Sequence, residues 1–155
     1  MFAGAGFERH GTTWVRPDDD LSWLVRLDRA PFRSSCSLEL GVAPRWLDRW
    51  ADADRVHDCP LVIQLELLPL SSPAEVAGTR LEGFSTAVVA SFDVRSTLPG
   101  DLRRRLWTAV LRAGAEYTAS VRTPADLRRE LDAGVFAAGF VHRDLREWLT
   151  TPPVA

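Results

Sequence analysis

The sequence predicts an α+β domain: one antiparallel sheet of about five strands, opened by an N-terminal hairpin, with C-terminal helices packed on one face. Three observations predict it. Leu21, Trp23, Val25 and Leu27 alternate with Ser22, Leu24, Arg26 and Asp28, and the same period of two recurs over Cys36–Val42 and Leu61–Leu67, the pattern of strands with one buried face. The period changes in the last third, where Leu102, Leu106, Trp107, Val110 and Leu111 recur at helical spacing. The 155 residues, 46% of them hydrophobic, suit a single core, so residues 1–155 read as one domain.

Each element has a local reason. Thr12–Arg16 reads as the first strand. Pro17-Asp18-Asp19-Asp20 is turn chemistry, since Pro presets φ and Asp side chains bond nearby backbone. The alternating run from Leu21 to Asp28 completes a hairpin, and Arg29 to Ser34, with Pro31, connects to the strand at Cys36–Val42. Pro44 to Asp52 predicts a short helix, with Pro in its first turn and Trp46 and Trp50 four apart. Leu61–Leu67 is the fourth strand, Pro69 to Gly83 a loop with one helical turn, and the β-branched, apolar Thr86–Val94 the fifth strand. A long helix starts among Ser96, Thr97 and Pro99 and runs through Gly114 to about Tyr117 or Ser120. Thr123 caps a second helix with Pro124 at its first position, ending near Leu131. Asp144 to Leu149 forms a last helical segment, stopped by Pro152-Pro153.

Composition narrows function. All 19 basic side chains are arginine, which a GC-rich coding bias explains without selection for phosphate binding, and the formal net charge is −2. That balance argues against a protein built to hold a nucleic-acid backbone. Cys36 and Cys59 are too few for a disulfide scaffold and read as reduced, buried thiols. Met1 to Gly6 shows no signal-peptide pattern and no apolar run reaches membrane-spanning length, so a cytoplasmic protein is expected, with no membrane partner.

Gly6-Phe7, Gly11, Trp14-Val15-Arg16, Val25-Arg26-Leu27-Asp28-Arg29 and Leu38-Glu39-Leu40-Gly41-Val42 form an ordered series. Together with the Cys59 strand and the helical region from Leu98-Pro99 to Leu131, it resembles a bacterial family known as domain of unknown function 4304. The resemblance implies a small α+β fold and a bacterial origin, and no reaction. That family carries a helix ahead of the Gly-Phe pair, whereas only five residues precede Gly6; its amide-bearing positions on the second and third strands are Asp28 and Glu39 here.

Alternation gathers Arg26, Asp28, Ser37, Glu39, Gln64 and Glu66 on the face opposite the apolar rows. Such a face is ordinarily solvated and held by cross-strand Arg–Glu pairs. It is also the best candidate binding surface, and Trp14, Arg26, Asp28, Arg29, Glu39 and Glu66 are its candidate contact residues. Two carboxylates in unlike environments can act as acid and base, so Glu39 and Glu66 define an enzyme alternative. No residue is assigned a catalytic role. Trp23, Trp46 and Trp107 are expected in the core.

His57-Asp58-Cys59 has metal-capable residue types, but the sequence contains no i, i+4 histidine pair and no Cys-x-x-Cys, so neither metal nor cofactor is expected. Cys36 with His57 is a poor nucleophile pair, because Cys36 falls on the core face and buried thiols are inert. Arg103-Arg104-Arg105 and Arg128-Arg129 offer a third reading, RNA binding, but three consecutive helical residues span about 200° and make no flat patch. The leading expectation is a small interaction or accessory module, of an immunity type among others, binding a protein partner through the polar sheet face or an exposed edge.

Overall fold

The computed structural model describes residues 3–29, 36–68, 74–76, 79–81 and 99–151. Among these residues, eight strands run β1 (Glu8–His10), β2 (Thr13–Arg16), β3 (Leu21–Arg29), β4 (Cys36–Pro44), β5 (Leu61–Gln64), β6 (Ala74–Val76), β7 (Thr79–Leu81) and β8 (Phe140–Val141). The helices are α1 (Gly100–Ser120), α2 (Pro124–Asp132) and α3 (Arg143–Thr150). Among the described residues, one antiparallel sheet has the order β1-β2-β3-β4-β5-β8, and β6 pairs with β7. The α+β fold with helices on one sheet face is as the sequence predicts, with six strands in the main sheet.

The first five strands of that sheet are consecutive in sequence. Gly11, at φ 62°, makes the β1–β2 turn. β1 was not expected from the sequence, because three exposed polar residues carry no hydrophobic period. Nor was β8, whose two residues are too few to show one.

Leu21, Trp23 and Val25 of β3, Leu38, Leu40 and Val42 of β4 and Leu61 and Ile63 of β5 line the main core. Leu106 and Val110 of α1, Leu127 of α2, and Leu145 and Leu149 of α3 cover it. Trp23 is fully buried, while Trp46 and Trp107 pack against the core partly buried. The Thr123 cap is a reciprocal capping box with Asp126, with Pro124 at the start of α2. Among the described residues, no helix is long and apolar enough to cross a membrane.

Three predicted elements differ. Pro44 to Asp52 is a run of turns closed by bonds from Leu47 N to Pro44 O and from Trp50 N to Leu47 O. This connection must reach both sheet faces: Trp46 and Leu47 pack on the main core, whereas Ala53, Val56 and Cys59 join a second cluster on the opposite face. A helix with a single apolar stripe would serve only one of them. The fourth strand ends at Gln64, and Leu65–Leu67 is a 3-10 turn. Its three-residue repeat buries both Leu65 and Leu68 and leaves Leu67 37% exposed. Within Pro69–Gly83, the described residues form the β6–β7 ladder and no helical turn. The predicted strand Thr86–Val94 lies outside the described residues.

The hairpin and α1 are pinned at the helix's C-terminal end. Arg16 donates from Nη1 to Thr118 Oγ1 at 3.0 Å and from Nη2 to the Thr118 carbonyl. Trp23 Nε1 donates to Val121 O at 3.0 Å. Arg122 forks onto Asp18 in the β2–β3 turn, at 2.8 and 3.0 Å.

Leu106→Ala is expected to cost about 2–4 kcal/mol, as large-to-small changes in a packed core do, while Arg105→Ala, on the solvated side of α1, stays within about 0.5 kcal/mol. Urea denaturation of the two variants checks this, and equal small effects would contradict the packing.

Asp18 gives a pH prediction. The hydrogen bond from Arg122 holds its carboxyl below the ordinary carboxylate range. A depressed folded-state pKa stabilises the fold above the unfolded value of about 3.9, and that contribution is lost as pH falls through the folded value. The stability difference between the wild type and Asp18→Asn should therefore shrink steadily on acidification below about pH 4. A pH-independent difference in urea midpoint would contradict it.

Candidate polar row on the open sheet face

Strand register turns the face away from the helices into two parallel rows. One is apolar: Val15 pairs with Leu24, Leu24 with Gly41, Gly41 with Val62, and Val62 with Phe140. The next is polar, running from His10 through Thr13, Arg26 and Glu39 to Gln64 across five strands. Asp28 and Ser37 pair one step further along.

The connection between β4 and β5 roofs the apolar row. Leu24, Ala43, Val56 and Cys59 form a small buried cluster there, with Val15, Ala53 and Val62 against it. Gly41 makes this possible: a Cβ at that position would lie 2.8 Å from Cys59 Sγ and 3.3 Å from Val56 Cα. Phe140, at the far end of the row, is 57% exposed.

The polar row remains outside the roof, centred on Arg26. Its Nη2 donates to Glu39 Oε2 at 2.6 Å and lies 3.6 Å from Asp28 Oδ1. Its Nη1 meets His57 Nε2 at 2.5 Å. Its Nε is buried without a hydrogen-bond partner among the described residues, so the guanidinium is held through its two terminal nitrogens. The side chains of Arg26, Glu39 and Asp28 are 23%, 20% and 38% exposed. Among the described residues, two carboxylates therefore share one guanidinium, and Asp28 is the most exposed of the three.

Among the predicted contact residues, Arg26, Asp28 and Glu39 come together as alternation requires. Trp14 does not join them. It pairs with Val25 and lies on the helix-covered face, packed against the main core with the Arg9 guanidinium 5.7 Å from its ring centre. Arg29 pairs with Cys36 at the end of the β3–β4 ladder, and Glu66 falls in the 3-10 turn beyond β5. The side chains of both lie outside the described portion.

His57 is the member that sequence spacing did not reveal as a neighbour of Arg26. It reaches Arg26 across 31 residues, from a 3-10 turn (Val56–Asp58). The available signal was compositional: Leu24, Gly41, Ala43 and Val62 interrupt an otherwise polar face and require a cover.

The nucleophile reading of Cys36 with His57 is excluded by topology. Cys36 packs with the helix-side core, while His57 stands over the opposite face. Cys59 is also unsuited: burial, and secondarily the Asp58 charge, push its thiol up to about 12, far from a reactive thiolate. Both cysteines are free thiols. Among the described residues, no three His, Cys, Asp or Glu side chains gather as metal ligands.

No known protein family, curated protein or solved structure matches this chain in comparisons of sequence and structure.

The Arg26–Glu39 pair should be energetically real but modest. A double-mutant cycle with Arg26→Gln and Glu39→Gln, read by urea denaturation, is expected to give a coupling of about 1 kcal/mol, near the upper end for partly solvated pairs. A coupling indistinguishable from zero would mean that the two charges are not held together in solution.

Proposed function

We propose that this chain is a small interaction module that binds a protein partner through the polar row of its open sheet face, and that the partner presents cationic groups. The observation that carries this reading is the sharing of Arg26 between Glu39 and Asp28. One guanidinium offsets one of two carboxylates, leaving oxygens at the surface that accept from arginine or lysine. Strand pairing holds Glu39 directly opposite Arg26, so the acceptors are ordered before a partner arrives, which lowers the cost of binding.

The face is favoured over the β1 edge. Glu8, Arg9 and His10 all expose their side chains there, the kind of charged edge that discourages strand addition. The acid–base alternative is weaker, because Glu39 is bound to a guanidinium at 2.6 Å and a proton carrier must exchange its partner during turnover. A cytoplasmic setting, an immunity-type role and membership of domain of unknown function family 4304 belong to the same proposal; they rest on the sequence patterns.

The test is affinity capture from a cell extract with wild-type, Glu39→Gln and Arg105→Ala baits in parallel. The proposal expects one associated protein retained by the wild type and by Arg105→Ala. Glu39→Gln should weaken it by about tenfold, as loss of one interfacial charge contact does, and salt should elute it. Equal retention by Glu39→Gln would overturn the assignment to this face.

A further inference from the structure

We infer that the contact between Arg26 and His57 is a proton-operated latch, one that ties the Val56–Asp58 turn to the sheet and releases it in mild acid. The argument begins with donor chemistry. A guanidinium has five N–H donors and no acceptor, so at the 2.5 Å contact with Arg26 Nη1 it is His57 Nε2 that accepts. Only a neutral imidazole with its proton on Nδ1 can do that. Protonation places an N–H on Nε2, facing another N–H, and sets a second positive charge against the first.

The surroundings leave the latch exposed to that change. Arg26 Nε has no partner among the described residues, so its two terminal nitrogens carry its contacts. Nη2 is already engaged by Glu39 at 2.6 Å, with Asp28 at 3.6 Å. On the turn's own segment, Asp58 is occupied by Arg55 at 2.9 Å. Among the described residues, the charged groups around this contact are Arg26, Glu39 and Asp28 from the sheet and Arg55 and Asp58 from the connection. Both of these sheet carboxylates serve the guanidinium already, so among the described residues an imidazolium gains neither as a counter-ion without drawing it away.

What the latch holds is the roof of the apolar row. Val56 is fully buried and Cys59 is 3% exposed over Gly41. Loosening the turn uncovers apolar surface beside the polar row, so proton concentration alters what the open face presents. This goes beyond the proposed binding role and holds whatever the face binds.

Amide hydrogen exchange of the 155-residue protein tests it. The Asp58 and Cys59 amides close the turn on Arg55 O and Val56 O at 3.0 and 3.2 Å. Their protection factors, corrected for intrinsic exchange, should fall by about tenfold between about pH 8 and pH 5. The amides of the β3–β4 ladder should hold theirs. In His57→Gln, whose amide oxygen can accept from Arg26 without titrating, the turn's protection should stay level. The same pH response in His57→Gln, or none in the wild type, would overturn the latch. A second measurement needs no variant: ring nitrogen shifts should show His57 with its neutral-state proton on Nδ1. A proton on Nε2 instead would also overturn it.

Discussion

Arg16 brings a full positive charge to the helix-covered face of the sheet, and the arrangement of both faces depends on how that charge is satisfied. Its residue is 8% exposed, and burial lowers its pKa from the ordinary arginine value. An unpaired charge there would be prohibitive. The solution is the C-terminal end of α1, where unpaired carbonyls concentrate negative potential. Thr118 supplies a hydroxyl and a carbonyl oxygen, and the Phe7 ring lies under the guanidinium at 5.4 Å. The bond joins residues 102 apart in sequence, so it closes the N-terminal hairpin onto the C-terminal helix. Trp23 adds a neighbouring bond to Val121 and an edge-on contact with Tyr117 at 5.9 Å.

With α1 anchored there, its Leu106 and Val110 cover one sheet face, and among the described residues the β4–β5 connection lies over the other. That connection covers only part of it. The division follows the strand rows: where the row is apolar, Val56 and Cys59 cover it; where it is polar, Arg26 and its acceptors meet water. Gly41 sits where the cover touches the sheet and leaves no side chain in the way. His57 stands on the boundary and contacts Arg26 from the covering turn. Packing on one half of the face and electrostatics on the other are therefore coupled through one residue pair, and this gives the polar row both order and a route by which the turn can affect it.

The functional reading draws on that order. A cross-strand ion pair on an antiparallel sheet ordinarily does no more than solvate a face. Here, among the described residues, the stoichiometry is uneven, two carboxylates to one guanidinium, and His57 of the neighbouring roof contacts the same Arg26. A surface of fixed acceptors with surplus negative charge favours recognition of cationic groups and speeds encounter with them.

The sequence by itself determined what is local and periodic. Alternation placed Arg26, Glu39 and Asp28 on one face because side chains on a strand point to opposite sides at every step. Helical spacing placed Leu106 and Val110 against the sheet, and the Thr123–Asp126 box marked the start of α2 because capping is satisfied within four residues. Only tertiary structure decided the rest. The Pro44–Asp52 segment has helical spacing, yet it turns so as to supply both faces. Leu65–Leu67 leaves the strand so that Leu65 and Leu68 can both be buried. Trp14 carries no local sign of its face beyond register, and the hairpin turn settled it against the core. His57 meets Arg26 through a contact 31 residues long in sequence, set by how one connection crosses the sheet. Such contacts arise from burial shared between distant segments, and no single stretch of chain encodes them.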